Sequence, residues 1–136
     1  MADFNKGQTF FDECAVNYEG TKGKYYIALS DADNDDDLIV CFVMNTENRM
    51  DKYHLLCNKD KQRFIISPGT FTFIKRYTSI MLMREVFYKY SEIYQDNIKL
   101  LDLTDDNLVR QIKNCIDWNY ISEKAKNIIK QSFKYG

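Results

Sequence analysis

The chain has 136 residues, 45% hydrophobic and 15% aromatic, with 19 Lys and Arg against 20 Asp and Glu and a formal net charge of −1. A disordered chain is excluded, because such chains lack the apolar surface that repays ordering entropy. So is a protein that coats nucleic acid by bulk charge, which needs a strong basic excess. One domain over residues 1–136 is expected, with a barrel over about 6–90 and a helical part over about 100–134.

Segments 7–14 (GQTFFDEC) and 24–30 (KYYIALS) read as strands joined by a loop carrying Gly20, Thr21, Lys22 and Gly23, where two glycines let the backbone turn freely. Residues 31–37 are a turn, since five Asp and one Asn disfavour both helix and strand interiors. The run 38–46 (LIVCFVMNT) is nearly continuous hydrophobe, as expected of a strand covered on both faces, and it ends in polar Asn45 and Thr46. Shorter strand candidates at 51–57 and 63–66 flank a turn at 58–61. Ser67, Pro68 and Gly69 then break the pattern, and 79–87 (SIMLMREVF) forms a further strand. Short β-branched and aromatic blocks in this order describe a small, strongly curved barrel.

The period then changes. Thr104 caps a helix whose Leu108, Ile112, Cys115 and Ile116 recur at helical spacing over about 13 residues. Ser122 caps a second, with Ala125, Ile128, Ile129 and Phe133 on one face and Lys124, Lys126 and Lys130 on the other. The fold class is mainly β with C-terminal α.

Apolar stretches reach about nine residues where a membrane helix needs about 20, and no apolar core resembling a signal peptide stands near the start. The chain reads as cytoplasmic, with no membrane partner. Cys14, Cys41, Cys57 and Cys115 are widely spaced with no CxxC pair, which argues for free thiols rather than a disulfide or zinc framework. Asp31, Asp33 and Asp35 have the spacing that opens a calcium loop, but Asp36 stands where Gly belongs and Phe42 where Glu belongs, so a solvated turn is expected. His54 is the single histidine, which excludes two-histidine acid–base schemes. Cys41 lies among Ile39, Val40, Phe42 and Val43, the opposite of an activating environment. Aromatic side chains such as Tyr25, Phe73 and Tyr77 are candidates to stack bases beside Lys75 and Arg76, or simply to pack the core.

Laid end to end, several of these segments resemble the MazF/PemK-type toxins of bacterial toxin and antitoxin pairs. Lys6, Gly7 and Gln8 stand at the opening strand, 24–30 where the family has an Arg-Pro motif running into a strand that ends in Ser, and 38–46 at a hydrophobic strand that ends in Thr or Ser. Segment 79–86 resembles a later Ser-initiated strand, and 101–116 the closing leucine and helix. ISPGTFTFIKRYTS (66–79) is similar to a Pro-Gly, Phe-Ile-Lys, Ser pattern in a divergent branch. The resemblance implies an SH3-like β-barrel, a homodimer, an antitoxin docking over the active groove, and cleavage of single-stranded RNA with neither metal nor cofactor.

By position, the family's strand Arg and strand-ending Thr fall on Lys24 and Thr46, the implied catalytic pair. Arg49, Lys75, Arg76 and Arg84 are the implied contacts to the RNA backbone. In such a reaction the ribose 2′-oxygen attacks the adjacent phosphate while a cation and fixed donors stabilise the phosphoryl oxygens. Three departures matter. Lys24 is a point charge where the family has a planar fork, Tyr25 replaces the Pro, and Phe71 and Arg76 stand where the divergent branch has histidines. They leave open a competing class, a non-catalytic barrel that binds protein or nucleic acid, from a mobile element.

Overall fold

The computed structural model describes residues 4–17, 20, 21, 23–33 and 37–133, so Lys22 of the glycine loop and Asp35 of the acidic run lie outside the described residues. Ten strands and two α-helices follow one another among these: β1 (Gln8–Asp12), β2 (Val16–Asn17), β3 (Gly20–Thr21), β4 (Lys24–Ala28), β5 (Leu38–Thr46), β6 (Leu56–Asn58), β7 (Arg63–Ile66), β8 (Thr78–Met81), β9 (Val86–Lys89), β10 (Ile98–Leu103), α1 (Asp106–Asn114) and α2 (Glu123–Ser132). Apart from a small β2–β3 ladder, the strands form one antiparallel sheet in the order β10-β1-β4-β5-β8-β7-β6, with β9 also on β5. The expected α+β class, a small barrel-like sheet followed by helices, is what the chain adopts.

β5 is the spine. One edge pairs with β4, and the other pairs first with β9 (Leu38–Cys41) and then with β8 (Met44–Thr46). Alternation along β4 and β5 feeds two cores. Ile27, Leu29, Val40, Phe42 and Met44 face one side, where α1 and α2 cover them through Val109, Ile112, Ala125, Ile128 and Ile129. Tyr26, Ala28, Ile39 and Cys41 face the other, packed with Phe4, Phe10, Tyr88 and Ile93. A strand buried on both faces reads as continuous hydrophobe, which is why 38–46 does.

Four local expectations are corrected. The strand expected at 79–87 is two, because Met44 faces Ile80 while Cys41 faces Val86: three steps along β5 are matched by six along its neighbour. The three extra residues loop out between β8 and β9, and Arg84 takes a left-handed φ of 55° there. The candidate at 51–57 shrinks to β6, which starts at Leu56 in a left-handed conformation (φ 70°). The helical part begins later than expected: Ile98–Leu103 is a strand that satisfies the outer edge of β1. Asp105, not Thr104, caps α1, accepting from the Leu108 amide at 2.9 Å, while the Thr104 hydroxyl donates to Gly7 O at 2.6 Å. Ser122 caps α2 as expected, accepting from the Ala125 amide at 3.2 Å.

The cysteine reading also changes. Cys57 of β6 and Cys115, which caps the C-terminus of α1, are joined in a disulfide, while Cys14 and Cys41 are free thiols. Spacing in sequence cannot reveal this pair, because β6 and the end of α1 meet only in the folded sheet. Burial in the second core pushes the Cys41 thiol well above its ordinary value, in line with a packing role.

Candidate functional site

The face of the sheet that carries the second core is left open at one end, and there it forms a cleft of about 690 Å³. Register builds its floor. Tyr26 sits opposite Val43, and Arg63 opposite Met81, so these side chains share the cleft face. Asn45 pairs with Ser79 on β8, and on its other side the Lys24 ammonium meets Asn45 Oδ1 at 3.3 Å. Met83 and Arg84, in the excursion between β8 and β9, close one wall. That excursion is tied down, since the Leu82 amide donates to Gln62 O at 2.8 Å and Glu85 accepts from the Ser122 amide at 3.0 Å.

Glu47, just beyond β5, folds over this floor. Its Oε2 accepts from Arg63 Nη1 at 2.6 Å and from Ser79 Oγ at 2.7 Å, and its Oε1 accepts from the Arg49 amide at 3.0 Å. Its side chain is 7% exposed. Burial works to raise this carboxyl, but the Ser79 hydroxyl, the Arg49 amide and the charge and hydrogen bond of Arg63 outweigh it and hold it below its ordinary value. Arg63 also lies over the Tyr53 ring at 4.8 Å. Four cations therefore surround the cleft, namely Lys24, Arg49, Arg63 and Arg84; Glu47 accepts three hydrogen bonds there, and Arg49 is also paired with Asp51 at 3.4 Å.

The sequence-derived residues separate into two groups. Lys24, Arg49 and Arg84 come together at the cleft. Lys75 and Arg76 line a smaller recess of about 210 Å³ beside Tyr25, Met44 and Phe73. Thr46 lies at the rim between the two. Strand alternation puts its side chain on the Met44 side, whereas Lys24 shares its face with Asn45. The Lys24 and Thr46 side chains thus leave opposite faces of the sheet, and Asn45 is the neighbour Lys24 touches.

Asn45, Glu47, Arg63 and Ser79 escaped the sequence reading. The one available signal was parity: 43, 45 and 47 share a face, and the partner of Lys24 needed to be known to choose it. Most candidate stacking rings are already engaged. Phe11, Tyr25, Phe73 and Phe71 form a column with successive centroids 4.7, 4.9 and 5.6 Å apart. Tyr88 is buried and donates to Asp12 Oδ2 at 2.6 Å; desolvation and this bond push its hydroxyl pKa up. His54 is exposed on the loop before β6, outside the cleft lining.

Among the described residues no group of three or more His, Cys, Asp or Glu is placed to hold a metal ion, and no helix is long and apolar enough to cross a membrane. Asp31 and Asp33 are engaged elsewhere, accepting from the Lys6 and Leu38 amides, each at 2.9 Å. Fold and site together define a small barrel-like α+β protein with a donor-rich, apolar-floored cleft. Compared with protein-family models the chain matches none, and no curated protein matches it.

Proposed function

We propose that this protein binds single-stranded RNA in the cleft, as a toxin-like barrel would. The observation that carries the reading is the charge arrangement: Lys24, Arg49, Arg63 and Arg84 ring a floor of Val43, Met81 and Tyr26, with Arg63 paired to Glu47 at 2.6 Å and Arg49 to Asp51 at 3.4 Å. Phosphates suit the rim, where Arg49 and Arg84 are exposed, and a base suits the apolar floor.

Metal-independent cleavage is the fuller form of this proposal. Lys24, Arg63 and Arg84 would stabilise charge on the phosphoryl oxygens, and an antitoxin segment or a second copy of the chain would act at the same face. Binding without cleavage is the second reading, and a specific observation favours it. Lys24 and Thr46 point to opposite faces, and Glu47, whose acidity is raised by the Ser79, Arg49 and Arg63 groups it accepts from, is a poor base for the ribose hydroxyl.

One experiment divides these readings. Wild type, Lys24→Ala, Thr46→Ala and Arg84→Gln are expressed at matched soluble levels in a bacterial host lacking any matching antitoxin. Total RNA is mapped for new 5′ ends, and the purified proteins are titrated with a labelled oligoribonucleotide. Cuts lost in Lys24→Ala establish cleavage. Binding that weakens in Arg84→Gln with RNA intact establishes the binding module, and wild type that neither binds nor cuts refutes the proposal.

A further inference from the structure

Three donors of the cleft converge on one place, and an anion of the chain itself sits there. Arg63 Nη1, the Ser79 hydroxyl and the Arg49 amide reach the Glu47 carboxylate at 2.6, 2.7 and 3.0 Å. A guanidinium, a hydroxyl and a backbone amide are donors that serve a phosphate oxygen as well as a carboxylate. Burial works against the carboxylate, yet these donors hold Glu47 below its ordinary value, so the place they enclose favours an anion. Each donor also has support of its own. Arg63 lies on β7 between Asn58 and Met81 and sits over the Tyr53 ring at 4.8 Å. Ser79 pairs with Asn45 and Ile65, and the Arg49 carbonyl accepts from the Lys52 amide at 2.9 Å.

Resting on the RNA-binding reading above, we propose that Arg63, Ser79 and the Arg49 amide form a phosphate site that Glu47 fills in the free protein, and that an RNA phosphate takes the place of its carboxylate. Glu47 is then an internal competitor. The exchange sets one anion in place of another, so the three donors stay paired while the released carboxylate is hydrated on the side of exposed Asn48. The Glu47 amide donates to Tyr77 O at 2.8 Å, which holds the backbone in place while the side chain turns about its own bonds. Exchange also makes Arg63 available to the ligand although its partner in the free protein is Glu47. A carboxylate that merely braced Arg63 would act in the opposite sense, since its removal would loosen Arg63 and weaken binding.

Fluorescence anisotropy with a labelled oligouridylate of about 12 nucleotides tests this for wild type, Glu47→Ala, Glu47→Gln and Asp51→Asn, with thermal melts showing which variants are folded. Asp51, exposed and paired with Arg49 at 3.4 Å, controls for the loss of one negative charge beside the same cleft. Glu47→Ala is expected to bind about tenfold more tightly than wild type, the equivalent of about one charge-assisted hydrogen bond, even though it is the less stable protein. Glu47→Gln keeps one acceptor for the pocket and should gain about threefold, while Asp51→Asn should stay within about twofold of wild type. Ser79 has no solvent exposure and can meet RNA only inside the pocket, so adding Ser79→Ala to Glu47→Ala should weaken binding again by about fivefold. A folded Glu47→Ala, or Glu47→Gln where the alanine variant does not fold, that binds no more tightly than wild type overturns the exchange and leaves RNA binding standing. An equal gain in Asp51→Asn, or a gain untouched by Ser79→Ala, assigns the effect to net charge and overturns the exchange as well. Failure of wild type to bind overturns the RNA-binding reading, and the exchange with it.

Discussion

Glu47→Gln is the most incisive perturbation of the cleft. Glutamine keeps the shape of the side chain but supplies one acceptor where the carboxylate has two. If its amide oxygen keeps Arg63 and Ser79, the NH2 group is turned on the Arg49 amide, and the contact of 3.0 Å becomes donor against donor. Loss of charge assistance from the 2.6 Å Arg63 bond costs about 1 kcal/mol and the lost amide bond about another 1. Arg63 is 27% exposed and water can partly replace Glu47 there, which keeps the total near 2 kcal/mol, well short of the penalty for breaking a fully buried pair.

The pH dependence follows from the direction of the Glu47 shift. A carboxyl whose folded value is lowered contributes stability that is complete above its ordinary, unfolded value and is lost as pH falls through the folded value. Urea unfolding at pH 7 should therefore place the variant about 2 kcal/mol below wild type, and the gap should narrow as pH falls below the ordinary glutamate range and through the lowered folded value of Glu47. Equal stabilities at pH 7, or a gap that does not change with pH, would refute the role assigned to the Glu47, Arg63 and Ser79 cluster. A cycle with Arg63→Met should show coupling of about 1–2 kcal/mol between the two positions.

Arg84→Gln should weaken binding to single-stranded RNA and reduce the steepness of its salt dependence by about 0.7 in log–log slope, the share of one phosphate contact; an unaltered slope places Arg84 off the phosphates. The Cys57–Cys115 bridge spans 58 residues, so on the loop-closure account the double alanine variant should lose about 4 kcal/mol in urea titration. Mass spectrometry after alkylation, with and without reductant, checks that the bridge is present, and no stability change between the two proteins counts against it. Gly7→Ala should cost about 2–3 kcal/mol by thermal unfolding, because Gly7 has φ +93° and an added Cβ would lie 2.8 Å from Val109 Cγ2, pushing α1 off the sheet. A neutral result there would mean that α1 is not seated on β1 as described.

The parts of the fold legible in the sequence are those whose pattern is complete within one segment. β5 reads as a strand covered on both faces because its own residues alternate between two cores, and α2 reads correctly because Ser122 and its apolar stripe are local. What was not legible depends on a partner. β10 has no strand signature of its own; Ile98–Leu103 is extended because β1 has a free edge to satisfy. The split of 79–87 arises because β8 and β9 follow the same edge of β5 in two registers, which no periodicity within 79–87 records. Thr46 and Asn45 make the same point at the site: both are polar residues at a strand end, and only the pairing of β4 with β5 says which one shares a face with Lys24.

That dependence on pairing also accounts for the position of the cleft. The second core is covered by the N-terminal segment and the turn at Tyr90–Tyr94 through Phe4, Phe10 and Ile93, but this cover does not reach the end of β5. Beyond it the same sheet face continues as Val43, at the margin of the second core, and Met81, both apolar and only partly buried. The looped residues between β8 and β9 emerge at that boundary and bring Arg84 to it, while Glu47 turns back from the end of β5 and accepts from Arg63 at 2.6 Å. An apolar floor ringed by cations therefore arises where a covering layer stops and two strand ends supply charge. Three of the groups that set its chemistry, Lys24, Asn45 and Arg63, project from paired strands. Their placement on one face follows from the pairing of β4 with β5 and of β7 with β8, so the chemistry of the cleft depends on register.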